Sequence, residues 1–338
     1  TIINESKITG TKAGIVAMAQ EDITTPSQGW VKLTNNSTGN IDLQGNKSVA
    51  MYASNGTIIN DGSISIGSEG VALYGHNNGY GDTAIMNNKS ITVGSGSIGI
   101  FGKDYTTTGL ENLGTITLAA DKSFGMVYQP KNSNATTFEN KGTITESGTG
   151  GANIGMYAEY DSVSPSVYTT KNSGTINLTG AASSLANPTV GMFSHAGVSS
   201  KISLENTGTI TVGNYGIGMY GWEETSKGDI TTGDGGIALY SQGDNVNVSN
   251  SKIKVGNNAA IGIYNTGTGQ TITSSGINYT VGDKSYGFIN KGIGNSLNIS
   301  SGSAVLESEG IFIYSDDTTG TINNGTAITS ASSSTGKN

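Results

Sequence analysis

Apolar and polar positions alternate in short bursts along this chain, and the bursts recur. Each unit runs from a small polar residue through a bend to a β-branched anchor, then to a small-centred apolar triplet that often ends in tyrosine. The anchors are Ile8, Ile41, Ile64, Ile91, Ile116, Ile144, Ile176, Ile210, Ile230, Ile253, Ile277, Val305 and Ile328, spaced by 20 to 34 residues. A period of that length marks stacked supersecondary units rather than one compact core.

After the bend the pattern has a period of two, as in Ile64-Ser65-Ile66, Ile91-Thr92-Val93 and Ile210-Thr211-Val212. Alternate side chains then share one face, which predicts a strand. A second strand follows, typified by Val49-Ala50-Met51-Tyr52 and Ile217-Gly218-Met219-Tyr220. Its central residue is Gly or Ala in eleven of twelve units, Phe312 being the exception, and strict alternation predicts that this small residue faces outward. A third apolar position precedes the bend, as at Ile58, Ile85, Leu110, Phe138, Leu204, Ile299 and Ile322. Two to three short strands per turn predict an all-β chain, a parallel β-helix (β-solenoid) of about 13 rungs forming a single continuous segment over residues 1–338. Both ends break mid-pattern, which predicts a fragment of a longer rod.

Four residues before each anchor stand Asn4, Ser37, Asn60, Asn87, Asn112, Asn140, Asn172, Asn206, Ser226, Ser249, Thr273, Ser301 and Asn324. Short polar side chains hydrogen-bond at turns, and identical amides stacked at the strand spacing form ladders. Glycines two residues later, among them Gly39, Gly62, Gly114, Gly142, Gly174, Gly208 and Gly228, predict a bend with positive φ.

Length variation concentrates between the Met-Tyr strand and the next polar turn, at about 20–32, 75–84, 102–109, 128–137, 158–169, 193–201 and 221–227. Equivalent departure points predict loops on one flank, where repeat proteins bind partners. These segments hold Trp30, Tyr80, Tyr105, Tyr160, Tyr168 and Trp222, the candidate binding residues, since Trp and Tyr are frequent contact anchors. A second candidate surface is the stripe Tyr52, Tyr74, Phe101, Tyr157, Phe193, Tyr220, Tyr240, Tyr264 and Tyr314, for which structural stacking is the expected role.

Composition narrows the function. The net charge is −8, and all seventeen basic residues are lysine, which argues against a nucleic-acid partner. There is no cysteine, so disulfides and Cys-ligated metals are excluded. No apolar run approaches the length of a membrane-spanning helix, so no membrane insertion by this segment is expected. The phosphate-loop-like Gly94-Ser95-Gly96-Ser97-Ile98-Gly99 lies between strands and opens no helix. His76 and His195 are expected to be solvated loop residues, as are the acidic pairs Glu223-Glu224 and Asp316-Asp317 and the solitary Asp121 and Asp283. No catalytic residue, cofactor or metal is therefore expected.

The units Asn140-Lys141-Gly142-Thr143-Ile144, Asn172-Ser173-Gly174-Thr175-Ile176 and Asn206-Thr207-Gly208-Thr209-Ile210, each followed by a Gly-Met-Tyr or Gly-Met-Phe strand, resemble passengers of type V autotransporters. They are most similar to those of the large fusobacterial outer-membrane adhesins. The resemblance implies a right-handed β-helix and a non-enzymatic adhesin segment on the bacterial cell surface, anchored through a translocator domain outside this chain. Its expected partner is a host or bacterial cell-surface protein or glycan. The chain shows no recognisable protease triad. The competing readings are a spacer without a site of its own and a polysaccharide-degrading β-helix enzyme.

Overall fold

In the computed structural model, the residues described are 1–20, 31–77, 84–104, 109–130, 138–148, 151–160, 167–180, 182, 184–196, 201–243 and 245–331. They form three parallel sheets of 13, 13 and 12 strands, in which each strand pairs with the third one along. This is a right-handed parallel β-helix of about 13 rungs. Sheet A holds the strands that enter the polar turn, such as Ile85–Asn87; sheet B the anchor strands, such as Ser90–Val93; and sheet C the triplet strands, such as Ile98–Lys103. The chain divides into two compact units, Thr1–Thr175 with His195–Ile202, and Ile176–Ser194 with Ser203–Asn338.

In the first unit, Ile41, Ile64, Ile91, Ile116 and Ile144 stand one above another in sheet B, all buried. Leu33, Ile58, Ile85, Leu110 and Phe138 do the same in sheet A. Met51, Leu73, Ile100, Met126 and Met156 complete the core from sheet C. One rung cannot enclose these side chains alone, so burial, and with it stability, belongs to the array.

The small residue of the triplet faces inward, contrary to strict alternation. Ala50 and Ala72 are fully buried, whereas Val49, Val71 and Ile98 are half-buried on the outside. The strand ladder skips this position, passing from Ile98↔Phe124 to Ile100↔Met126. The chain bends there and presses its backbone against the anchor of the next rung. A Cβ on Gly99 would lie 2.9 Å from Ile116 Cγ2, and one on Gly125 2.8 Å from Ile144 Cγ2.

The polar position is a buried amide column. Asn4, Asn35, Asn60, Asn87, Asn112, Asn140 and Asn172 are in register. Each Nδ2 donates to the Oδ1 of the following member at 2.7–2.8 Å. Asn35 takes the place expected for Ser37, because that turn is longer. In the second unit Asn206 Nδ2 donates to Ser226 Oγ at 3.2 Å.

The turn glycines answer a steric need, not a left-handed backbone. At Gly142 a Cβ would run into the carbonyl oxygen of Gly114, and at Gly174 into that of Gly142; neither has positive φ. Gly142→Ala should therefore push adjacent rungs apart and cost about 1–3 kcal/mol, as overpacking does, read as a lower urea midpoint by circular dichroism. Positive φ occurs instead at the corner from sheet B to sheet C, on Lys47 (58°), Glu69 (56°), Gly96 (65°) and Lys122 (56°). The Gly94–Gly99 motif is one of these corners, locked by Ser97 Oγ donating to Gly67 O at 2.7 Å.

In the second unit the anchors Ile210, Ile230 and Ile253 are followed in register by Tyr279, Ala304 and Ile328. Tyr279 and Ala304, not Ile277 and Val305, occupy the anchor positions. The ladder position likewise passes to Val248, Ser274 and Ile299 rather than Ser249, Thr273 and Ser301. These turns are one residue longer and carry left-handed Asn250, Gly276 or Gly302. Tyr279 is buried, with its hydroxyl 2.8 Å from Ser274 Oγ, and burial raises the phenol's pKa. Phe312, the bulky exception in the triplet, is also buried and meets Phe288 and Tyr279 edge-on at 5.4 Å. Its bulk is accommodated where Ala304 replaces the usual Ile.

Candidate functional site

Since the bend turns the small residue inward, the aromatic two positions later points outward. Among the described residues two aromatic rows result on the exterior of sheet C, one in each unit. In the first, Tyr52, Tyr74 and Phe101 are in register, with ring centroids 5.1 and 4.9 Å apart. His76 Nε2 lies 3.2 Å from Asp104 Oδ2 beside this row. Burial, then Tyr52 and Asp104, raise the Tyr74 pKa. His76 thus ends a strand in a polar pair, not in a free loop; His195 is exposed but also lies in a strand, Val190–Ala196. Farther along, burial and then Glu159 push the Tyr157 phenol up to about 12.

In the second unit Phe193, Tyr220, Tyr240 and Tyr264 are in register. Their centroids are 4.8, 4.8 and 4.9 Å apart, and the first two ring pairs are within 8° of parallel. At this spacing each ring covers its neighbour's face, so solvent meets edges and hydroxyls. Gln242 Nε2 donates to Tyr220 Oη at 2.7 Å. Trp222 lies two residues beyond Tyr220 and is 38 % exposed. Its benzo ring occupies the space a side chain on Gly243 would take.

Of the expected binding residues, Trp222 alone has a described side chain. Trp30, Tyr80 and Tyr105 lie outside the described residues. Tyr160 closes the strand Ile154–Tyr160 and Tyr168 falls in Val167–Asn172, but their side chains lie outside the description. The connections that hold the expected loops leave sheet C and return at sheet A, so their attachment points are equivalent from rung to rung. The segment 221–227 is different. It contains the sheet A strand Glu223–Ser226, and only Trp222 separates that strand from sheet C.

Glu224 is accordingly not a solvated loop residue. It is fully buried, in register with Leu204 and Val246. Burial pushes its carboxyl up to about 8; Ser241 and the Gly221 backbone ease the charged form, yet neither makes a hydrogen bond of ordinary geometry to it. The spacing held the signal. Leu204 stands two residues before Asn206, and Glu224 stands two before Ser226. Asp317 is also engaged: it accepts backbone N–H from Asn295 at 2.7 Å, Gly320 at 2.8 Å, Thr319 at 2.9 Å and Gly294 at 3.1 Å, which holds its pKa well below the usual carboxylate range.

On the flank of sheet A in the first unit, Lys141 Nζ reaches Glu111 at 2.7 Å and Glu139 at 3.7 Å, while Lys171 lies 3.8 Å from Glu139. These charges are mutually neutralised. Among the described residues no group of three His, Cys, Asp or Glu side chains is placed to hold a metal ion. No helix among them is long and apolar enough to cross a membrane.

Residues 89–200, about a third of the chain, match the family model described as the BigA third pectate lyase-like domain. That stretch is similar to a pectate lyase-like domain, and the described residues of the chain form a parallel β-helix. No curated protein and no solved structure matches the chain.

Proposed function

We propose that this chain is a non-enzymatic segment of an extracellular adhesin on the bacterial surface, of the autotransporter passenger kind, that attaches to a host or bacterial cell-surface protein or glycan. The observation that carries this reading is the half-buried, outward-facing aromatic row Phe193, Tyr220, Tyr240 and Tyr264, with exposed Trp222 and the Gln242 amide nearby on the same sheet face. Rigid aromatics bind at little cost in side-chain entropy. The match to a BigA domain over residues 89–200 supports a surface β-helix. Anchoring falls to a translocator domain outside this chain.

The contact is an edge-on strip, with Trp222 at its side. The expected result is that Trp222→Ala combined with Tyr264→Ala weakens attachment of the purified chain to cells by about 30-fold, the effect of losing ~2 kcal/mol at a contact hot spot, with the β-rich circular dichroism spectrum kept. Undiminished attachment would move the contact elsewhere, or leave the chain a spacer.

The family description favours one further reading, cleavage of a uronate-containing polysaccharide. Release of unsaturated sugar from a polysaccharide panel by the purified chain would establish it in place of the adhesin.

A further inference from the structure

We propose that Tyr220, Tyr240 and Tyr264 form a site of oxidative tyrosine–tyrosine cross-linking, through which adjacent rungs of the second unit become covalently joined. The three phenols hold the same position on consecutive strands of sheet C, paired Tyr220↔Tyr240 and Tyr240↔Tyr264. Their rings are 4.8 Å apart at 8° and 4.9 Å apart at 31°. All three are half-buried, so their outer edges meet solvent. Parallel pairing fixes this separation, since adjacent strands repeat every ~4.8 Å. Two phenoxyl radicals formed here are held as neighbours for as long as the sheet persists. The entropy of bringing the partners together is lost on folding, before any oxidant arrives.

The oxidant is hydrogen peroxide acting through a haem peroxidase. Each phenol gives up one hydrogen atom, and the two radicals couple through ring carbons ortho to oxygen. The two ring hydrogens move to the oxygens and restore both phenols, while one peroxide becomes two waters. The product is lighter by two hydrogens. The Gln242 amide donates to Tyr220 Oη, which leaves that hydroxyl's own hydrogen free to depart. A chain without cysteine cannot form disulfides, and this row offers another covalent brace between rungs.

The structure supplies its own controls. Tyr286 and Tyr314 are near each other but meet edge-on, at 6.3 Å and 72°, and are not register partners. Tyr279 is buried. Lys201, Lys227, Lys252, Lys254 and Lys284 place Tyr220, Tyr240 and Tyr264 in three different tryptic peptides.

The test treats the folded, dilute chain with hydrogen peroxide and horseradish-type peroxidase, then denatures it, digests it with trypsin and sequences the linked peptides by mass spectrometry. The expected products are Tyr220–Tyr240 and Tyr240–Tyr264 links within one molecule, with dityrosine emission. Tyr240→Phe should bring both to background, Tyr264→Phe should leave only Tyr220–Tyr240, and Tyr286→Phe should change neither. Circular dichroism of each variant confirms the fold. Links found only between molecules, links at Tyr286–Tyr314 in equal yield, or no dityrosine in the folded chain would each overturn the proposal.

Discussion

Raising the pH from 5 to 7.5 should destabilise the second unit by roughly 3 kcal/mol, and Glu224→Leu should abolish that loss. The carboxyl of Glu224 is fully buried between Leu204 and Val246, and burial lifts its pKa from 4.5 to about 8. A folded-state value above the unfolded one means that the fold favours the protonated form. The stability linked to this group is therefore full below pH 4.5, falls as pH rises, and is lost once pH passes about 8. The maximum slope for one proton is about 1.4 kcal/mol per pH unit. Trp222, two residues away, is a native reporter, and Trp30→Phe leaves it as the sole tryptophan. Urea titrations at the two pH values, followed by its fluorescence, should give midpoints that differ in the parent and coincide in the Glu224→Leu variant. The leucine side chain resembles the one at the equivalent position of the preceding rung, so the variant should also exceed the parent's stability at pH 7.5. Equal pH slopes in the two proteins would show that the carboxyl reaches water.

The second large effect is expected in the amide column of the first unit. Asn112 receives a hydrogen bond from Asn87 and gives one to Asn140, at 2.7 and 2.8 Å, and all three side chains are fully buried. Asn112→Ala strands a donor on one side and an acceptor on the other. At ~1–3 kcal/mol for each buried unpaired group, the cost is roughly 2–6 kcal/mol. Asn4→Ala, which strands only the Asn35 acceptor, should cost about half as much, roughly 1–3 kcal/mol. Asn112→Asp tests directionality: its carboxylate can accept from Asn87 but opposes the Asn140 oxygen, so the variant should be less stable at pH 7 than at pH 4. Urea unfolding monitored by circular dichroism compares all three. Equal losses for Asn4→Ala and Asn112→Ala would mean that the bonds do not act as a column.

Much of this architecture is legible in the sequence because the anchors alternate with polar residues on strands whose neighbours are their own repeats. Ile41 through Ile144 stand in register as the spacing predicts. Sequence offset and strand register part where the repeat changes length. At Tyr279 and Ala304 the turn gains a residue, while nearby Ile277 and Val305 preserve the expected offset by coincidence. The inward small residue is a different kind of miss: alternation assumes an unbroken strand, and this strand breaks at the small residue itself. The corners at Lys47, Glu69 and Lys122 leave no mark in the sequence, because the residues that take the left-handed backbone there are not glycine. The candidate site was partly legible. The Tyr stripe recurs in the sequence, but the Gln242 bond to Tyr220 and the seat of Trp222 against Gly243 depend on register, and the buried Glu224 was hidden by its charged neighbour Glu223.

Stacked turns are interchangeable only where their inward side chains repeat, and the packing of Phe312 against Phe288 and Tyr279 sets a limit on that. A turn built on an isoleucine anchor and a glycine corner fits above or below any other of the same make. The turn with Phe312 fits only where its ring finds Phe288 and Tyr279. Copied among the isoleucine turns it would collide, and deleted it would leave the ring of Tyr279 facing a void. Isoleucine turns are thus interchangeable in their packing, whereas the stretch from Tyr279 to Phe312 packs only as a block.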